Sequence, residues 1–335
     1  MNTEWLKISK DRRIEILNQA SNTTGLPAIA IEKDWWVTLV LNASFSLEYS
    51  NNIVFKGGTS LSKGWNLIER FSEDIDLAMD RKFFGFEGDI SKSKIKSLRK
   101  KSCDFISTIF LKDLEYKLSE WKAINECKLN AQPIVDSDKD PQVIEVHYDS
   151  VLDKSDYLKQ RVLIEVSSRS LMEPTENRNI NSFLSATFLN QPFATESFNI
   201  STVLPQRTFL EKIFLLHEEF LQETSKIRIE RLSRHLYDLE KLMDTEHGTK
   251  AISDKELYNG IVAHREKFNP IRGIDYSKHV PSGIRIVPPD PVIKDWERDY
   301  QTMIENMIYG SSLKFDPLIN RIQELQERIN GLSFK

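Results

Sequence analysis

The spacing of hydrophobic positions changes character along the 335-residue chain, and each change marks a different kind of element. Near the N-terminus Ile14, Ile16 and Leu17 form one apolar stretch and Trp35 to Leu47 another. Turn residues from Asn22 to Pro27 separate them, so two packing helices are expected. Asn51 and Asn52 then punctuate the chain before Ile53-Val54-Phe55, a β-branched and aromatic run that reads as a strand. Gly57-Gly58 interrupts that run, and Thr59 opens a helix expected to reach Glu69. After a short connection from Arg70 to Ser72, Asp74-Ile75-Asp76-Leu77 alternates polar with apolar, the period of a half-buried strand.

Helical spacing returns from Ser91 to Ser119 through Ile95, Leu98, Phe105, Ile106 and Ile109. A turn-rich segment holding Pro133, Asp136, Asp138 and Pro141 leads to two further strands, Val143 to Tyr148 and Val162 to Ser167, which extend the same sheet. From about Thr208 the pattern is helical: Phe209, Ile213, Leu216 and Phe220, then a helix from Arg228 to Met243 with Ile229, Leu232, Leu236, Leu239 and Met243 on one face. A Pro-rich link from Pro281 to Pro291 precedes two last helices, marked by Trp296, Tyr300, Met303 and Met307 and by Leu318, Ile322, Leu325 and Ile329. The expected fold class is α/β, a mixed sheet with flanking helices over residues 1–205 and a C-terminal helical lobe over 206–335.

Composition narrows the function classes. With 40% apolar and 29% charged residues and only 12 Gly and 12 Pro, the chain is globular, neither collagenous nor low-complexity. Its 46 basic and 50 acidic residues give a net charge of −4, so any polyanion must meet local charge. Cys103 and Cys127 are too few for a disulfide framework or a Cys-rich zinc site and are expected as free thiols in a reducing compartment. The start MNTEWLKISKDRR has no apolar signal core, and the most apolar stretch falls well short of the roughly 20 residues of a membrane span. A soluble, cytoplasmic protein is expected.

The densest chemistry is FKGGTSLSKGWNLIERFSEDIDL, Phe55 to Leu77. Residues i and i+2 of a strand share a face, so Asp74 and Asp76 present two acceptor-only side chains together while Ile75 and Leu77 turn to the core. Like charges held so close call for a cation. Hard oxygen donors suit Mg²⁺, or Mn²⁺, which would also bind nucleotide phosphates. Gly57 and Gly58 let backbone approach those phosphates, the helix from Thr59 aims N–H groups at them, and Ser60, Lys63 and Ser72 add donors. Singly, the Asp pair reads equally as a solvated strand end and the Gly pair as a turn; their order carries the nucleotide reading.

A third carboxylate would help hold a metal and receive the proton of an attacking hydroxyl. Glu165, inside the apolar run Val162 to Val166, is costly there without a partner. Glu145 is its rival, and a structural salt bridge is the other reading of either. On the Arg228 helix, Arg231, Arg234, His235 and Asp238 share the polar face, which on its residues alone reads as a solvated surface with an Arg234–Asp238 pair. Lys92, Lys94, Lys96, Arg99, Lys100 and Lys101 form a basic stretch that reads either as a solvated helix face or as a polyanion surface. Trp35, Trp36 and Trp65 read as core residues.

The order of glycine turn, helix and Asp-x-Asp strand resembles the nucleotidyltransferase superfamily. More narrowly, GGTSLSK followed by RFSEDIDL resembles the AbiEii/AbiGii toxin family of bacterial toxin–antitoxin and abortive-infection systems. The likeness continues in IEKDWWVTLVL, VLIEVSSRS, TFLEKIFLLH and RLSRHLYDL, about three quarters of the chain. The resemblance implies a nucleotidyltransferase fold and Mg-dependent transfer of a nucleotide from an NTP to an acceptor hydroxyl. For several relatives the acceptor is the 3′ end of tRNA, which stops translation, and a separately encoded antitoxin restrains the enzyme. The resemblance favours Glu165 over Glu145. It turns Lys212, Arg231, Arg234 and Asp238 toward the nucleotide, with Lys212 on phosphate, Asp238 orienting a basic or metal partner, and Lys63 or Lys212 stabilising pyrophosphate. It makes the Lys92 to Lys101 stretch the candidate RNA surface. The alternatives are a transferase that nucleotidylates protein side chains and a non-catalytic nucleotide-binding regulator.

Overall fold

The computed structural model describes residues 2–134, 140–155, 157–172 and 174–333, so Asp136 and Asp138 of the expected turn lie outside the described residues. The chain forms two units: Met1–Asn66 with Phe71–Val203, and Leu67–Arg70 with Leu204–Lys335. The second therefore recruits four residues from within the Gly-Gly to Asp-x-Asp segment.

The first unit contains α1 (Lys10–Thr24), α2 (Ala28–Phe45), β1 (Ile53–Lys56), α3 (Gly57–Lys63), β2 (Asp74–Met79), α4 (Lys92–Phe105), α5 (Leu111–Glu120), β3 (Cys127–Ala131), β4 (Gln142–Tyr148), β5 (Arg161–Ser167), β6 (Thr175–Ile180), α6 (Phe183–Thr187) and β7 (Phe198–Val203). Its seven strands form one mixed sheet in the order β3-β4-β5-β2-β1-β7-β6. β1 pairs antiparallel with β2 and parallel with β7, and β2 runs parallel to β5. Ile75 and Leu77 of β2, Val162, Ile164 and Val166 of β5, and Ile144 and Val146 of β4 are buried, while the alternate residues of β2 and β5 that carry the carboxylates are half-buried. Strand alternation thus separates a packed face from a chemical one.

Helix α2 is hydrophobic nearly all round, as a fully buried helix must be. Trp35 and Trp36 are buried, with Trp36 stacked on Tyr148 at 5.2 Å, and Trp65 is buried with its indole donating to the Val203 carbonyl. Three consecutive charges on α2, Glu32, Lys33 and Asp34, are also buried, each compensated by a partner from elsewhere in the unit.

Several boundaries differ from expectation. Helix α3 begins at Gly57 and stops at Lys63 rather than reaching Glu69; the chain then turns through Asn66, at φ 53°, into the four residues that join the second unit. The Ser91 to Ser119 stretch is α4 and α5 joined by a π-helical turn, Ile106–Phe110. The extra residue in that turn rotates the face, so Ile109 is half-exposed instead of packed. Strands β3, β6 and β7 lie outside the expected elements: β3, CKLNA, and the start of β7, FNIS, alternate apolar with polar but are short, and β6, at the sheet edge, has no alternation and is exposed along most of its length.

The second unit holds α7 (Pro205–Phe220), α8 (Ser233–Met243), α9 (Glu246–Ser253), α10 (Lys255–Phe268), α11 (Ile293–Met307) and α12 (Phe315–Asn330). Helix α8 starts five residues later than its hydrophobic spacing suggested. Arg231 sits at φ 62°, outside the helix, where Asp299 accepts from its backbone N–H at 2.6 Å. Trp296, Tyr300, Met303 and Met307 of α11 and Leu318, Ile322, Leu325 and Ile329 of α12 are all buried, as their spacing requires. No helix among the described residues is long and apolar enough to cross a membrane.

Candidate functional site

The register of β2 and β5 assembles the carboxylates of the first unit. Asp74 stands beside Leu163 and Asp76 beside Glu165, so three carboxylates occupy one face of two adjacent strands. Glu145 lies on the same face but pairs with Leu163 from β4, a strand farther from β2. It is also already engaged: Arg161 donates to it at 2.6 Å, Gln132 at 3.0 Å, and His147 lies at 2.8 Å. Burial would raise the Glu145 pKa, but these donors outweigh it and lower it. Position thus separates Glu165 from its rival.

Gly57 adopts φ 77°, and a Cβ there would lie 1.9 Å from Asp76 Oδ2. Only glycine permits this approach of the turn to the carboxylate. On the same flank, away from Glu165, Lys56 is the direct partner of Asp76 across β1 and β2. The residues fit a divalent cation: hard oxygen donors on one face, with backbone brought against one of them. Among the described residues no three or more His, Cys, Asp or Glu side chains form a cage sufficient for a metal ion. Mg²⁺ takes one or two carboxylates and completes its shell with water and substrate phosphate.

The hydroxyls near the turn hold structure. Thr59, fully buried, donates to the Asp74 carbonyl and lies 2.9 Å from the Ser72 hydroxyl, tying α3 to the start of β2. Ser60, also fully buried, donates to the Gly57 carbonyl at 2.8 Å and braces the turn. Ser72 is half-buried. The expectation that Lys63 faces phosphate is corrected: its side chain is 5% exposed, paired with Asp34, and donates to the Asn181 carbonyl at 3.1 Å. It sits at the last residue of α3, at the opposite end from Gly57.

In the second unit Lys212 of α7 and Asp238 of α8 meet, Nζ to Oδ2 at 2.9 Å. Asp238 also receives a bidentate bond from Arg70, Nε to Oδ1 at 2.7 Å and Nη2 to Oδ2 at 2.8 Å. All three are buried, and His235 Nδ1 lies 3.3 Å from the Lys212 ammonium. The solvated Arg234–Asp238 surface pair is therefore not what forms. Burial alone would raise the Asp238 pKa, yet Arg70 and then Lys212 hold it well below the usual carboxylate range. Burial, with Arg70 nearby, lowers the Lys212 pKa against the pull of Asp238. Burial, then Lys212 and Arg234, pushes the His235 pKa well down, so the ring is neutral. Two buried cations share one carboxylate, a local surplus of positive charge.

Lys92, Lys94, Lys96, Lys100 and Lys101 project from α4 into solvent with Arg99 half-buried, while Ile95 and Leu98 pack inward. Sequence reasoning missed Lys56 and Arg70. The first becomes visible only through strand register, and the second bonds to a residue 168 positions away.

No curated protein matches the chain. A family model described as the nucleotidyl transferase AbiEii toxin of type IV toxin–antitoxin systems matches residues 40–326, spanning the glycine turn, the three carboxylates and the Lys212–Asp238 pair. With most of its length matched by that model, the chain belongs to the AbiEii nucleotidyl transferase toxin family.

Proposed function

We propose that the protein is a Mg-dependent nucleotidyltransferase toxin that moves a nucleotide from an NTP to the 3′ hydroxyl of tRNA, blocking translation until a separately encoded antitoxin restrains it. The observation that carries the reading is the register that sets Glu165 beside Asp76, on the face of Asp74 and against the Gly57 turn.

Asp74 and Asp76 would hold the cation, which when bound neutralises charge on the reacting phosphates. Glu165 accepts the proton of the acceptor hydroxyl as its oxygen attacks the α-phosphorus. The new O–P bond forms as the bond from the α-phosphorus to its bridging oxygen breaks, and that electron pair leaves with pyrophosphate. Gly57 and Gly58 admit the nucleotide phosphates to the backbone, and Lys56, opposite Asp76, supplies positive charge there in place of Lys63, whose side chain is buried. Lys212, Arg231 and Arg234 remain proposed phosphate partners. Lys212 would take that role from its ion pair with Asp238, which fixes its ammonium. The exposed lysines of α4 give RNA a surface.

A radiolabelled NTP, offered with tRNA and with whole-cell protein as separate acceptors, tests the reading. Label should enter tRNA in the wild type and vanish with Asp74→Asn or Asp76→Asn without loss of folding. Label in protein alone would replace the RNA acceptor by a protein one, and retained transfer in both variants would sink the carboxylate mechanism.

A further inference from the structure

We infer that a basic cavity beside the carboxylate face binds the phosphate backbone of the acceptor RNA strand. The inference rests on the RNA-acceptor reading above and adds the place where the strand is held.

The cavity, about 500 Å³, is lined by Lys154, Lys159 and Arg161 together with His147 and Tyr148. Lys154 and Lys159 are exposed, and neither forms an ion pair among the described residues. Of the acids nearby, Glu145 is spent on Arg161, His147 and Gln132, while Asp153, beside Lys154, is exposed. The described residues that line the cavity include two lysines and an arginine and no carboxylate, so the lining itself is positive. Tyr148 is 4% exposed, stacked on Trp36, and its hydroxyl has no hydrogen-bond partner among the described residues.

The wall is built, not incidental. Glu32 of α2 accepts from the Val151 N–H at 2.9 Å and from the Ser150 hydroxyl, and Lys33 donates to the Lys159 carbonyl at 2.9 Å while paired with Glu73. Gln160 closes the wall by donating to the Leu152 carbonyl at 3.0 Å. Two buried charges of α2 thus fix the backbone that carries the cavity's lysines. This gives the charged residues of the IEKDWW stretch, which the transfer chemistry does not use, a task.

Placement on the sheet identifies the ligand. Arg161 lies on the face of Leu163 and Glu165, two residues before Leu163 and so about 7 Å along β5 from the residue paired with Asp74. The glycine turn follows β1, on the opposite side of β2 from β5 and β4. The carboxylates are flanked by two anion-seeking features, one for the phosphates of the donor nucleotide and the cavity for those of the acceptor.

The test uses the full chain and a short fluorescein-labelled single-stranded RNA with a free 3′ hydroxyl, titrated by anisotropy over a range of salt. In Lys154→Gln/Lys159→Gln, RNA affinity should fall about fivefold per lysine near 0.1 M salt, and the log–log salt slope should flatten by about 0.7 for each. The NTP KM, and kcat at saturating RNA, should stay within about twofold of wild type, and Lys154→Arg/Lys159→Arg should restore binding. Unchanged affinity and slope in the Gln variant would overturn the inference, as would a raised NTP KM with RNA affinity intact, which would assign the cavity to the nucleotide. A wild type that neither binds nor labels RNA would remove the acceptor reading itself, a result distinct from either variant outcome.

Discussion

Two cations sharing one buried carboxylate make an unequal triad, and the inequality is measurable. Asp238 is the hub: Arg70 approaches at 2.7 and 2.8 Å and Lys212 at 2.9 Å, all within side chains at most 8% exposed. At an effective dielectric near 20, each contact of this length contributes an attraction of about 6 kcal/mol, most of it offset by desolvation. Asp238→Asn removes both attractions and leaves two cations repelling each other in the interior, so the loss should be about 3–5 kcal/mol. Arg70→Gln leaves a one-to-one Lys212–Asp238 pair and should cost clearly less. At roughly 2–4 °C per kcal/mol, the two variants should differ in Tm by several degrees, read by far-UV circular dichroism. The pH dependence has a definite sign. Without its carboxylate, Lys212 has a folded pKa even further below the unfolded value near 10.4, so above the folded pKa the unfolded state binds more protons and stability rises with pH. The deficit of Asp238→Asn should therefore shrink as pH is raised from neutrality. An Arg70→Gln variant at least as unstable as Asp238→Asn, or a deficit independent of pH, would refute the hub.

The remaining predictions concern the sheet and a second buried cluster. Gly57→Ala should abolish transfer, because its Cβ would collide with the Asp76 carboxylate at 1.9 Å; nucleotide incorporation checks it against a thermal melt that moves only modestly. Glu165→Gln should lower kcat by about 10²–10⁴, whereas Glu145→Gln, which disturbs an Arg161 ion pair, should leave kcat near wild type. His217, fully buried against His279 beside Glu218 and accepting the Arg285 N–H at 3.1 Å, has its pKa lowered to about 4 by burial and then by His279. The unfolded chain takes up that proton near pH 6.5 and the folded one does not, so stability is full above about 6.5 and falls by about 3 kcal/mol as pH drops to about 4. His217→Asn should flatten that segment of the stability curve in urea melts.

The alternation of Asp74 to Leu77 made β2 legible, and the apolar run around Glu165 marked a carboxylate needing a partner. Both are local signals: a two-residue period and a charge among hydrophobes. Choosing Glu165 over Glu145 on physical grounds required strand order, because β5 adjoins β2 and β4 does not. Lys63 misled because a lysine near a glycine turn looks available, while its partner Asp34 belongs to a helix whose charges any hydropathy reading puts in solvent. Arg70 looked like a linker residue for the same reason at longer range. Buried ion pairs are written in two distant places at once, and one strand of text shows only half.

The four-residue excursion Leu67–Arg70 constrains how this architecture is inherited. A recombination event at the obvious joint between Val203 and Leu204 would deliver a helical lobe holding Asp238 and Lys212 but no Arg70, since Arg70 is encoded between the two segments of the first unit. The lobe is thus not a portable module. Grafted onto another sheet it would arrive with its ion triad broken, and a transplant would keep the triad only if the recipient brought its own arginine in the same loop. Dissection at that joint should likewise yield fragments that regain the triad only when mixed, so selection acts on the two units as one heritable piece.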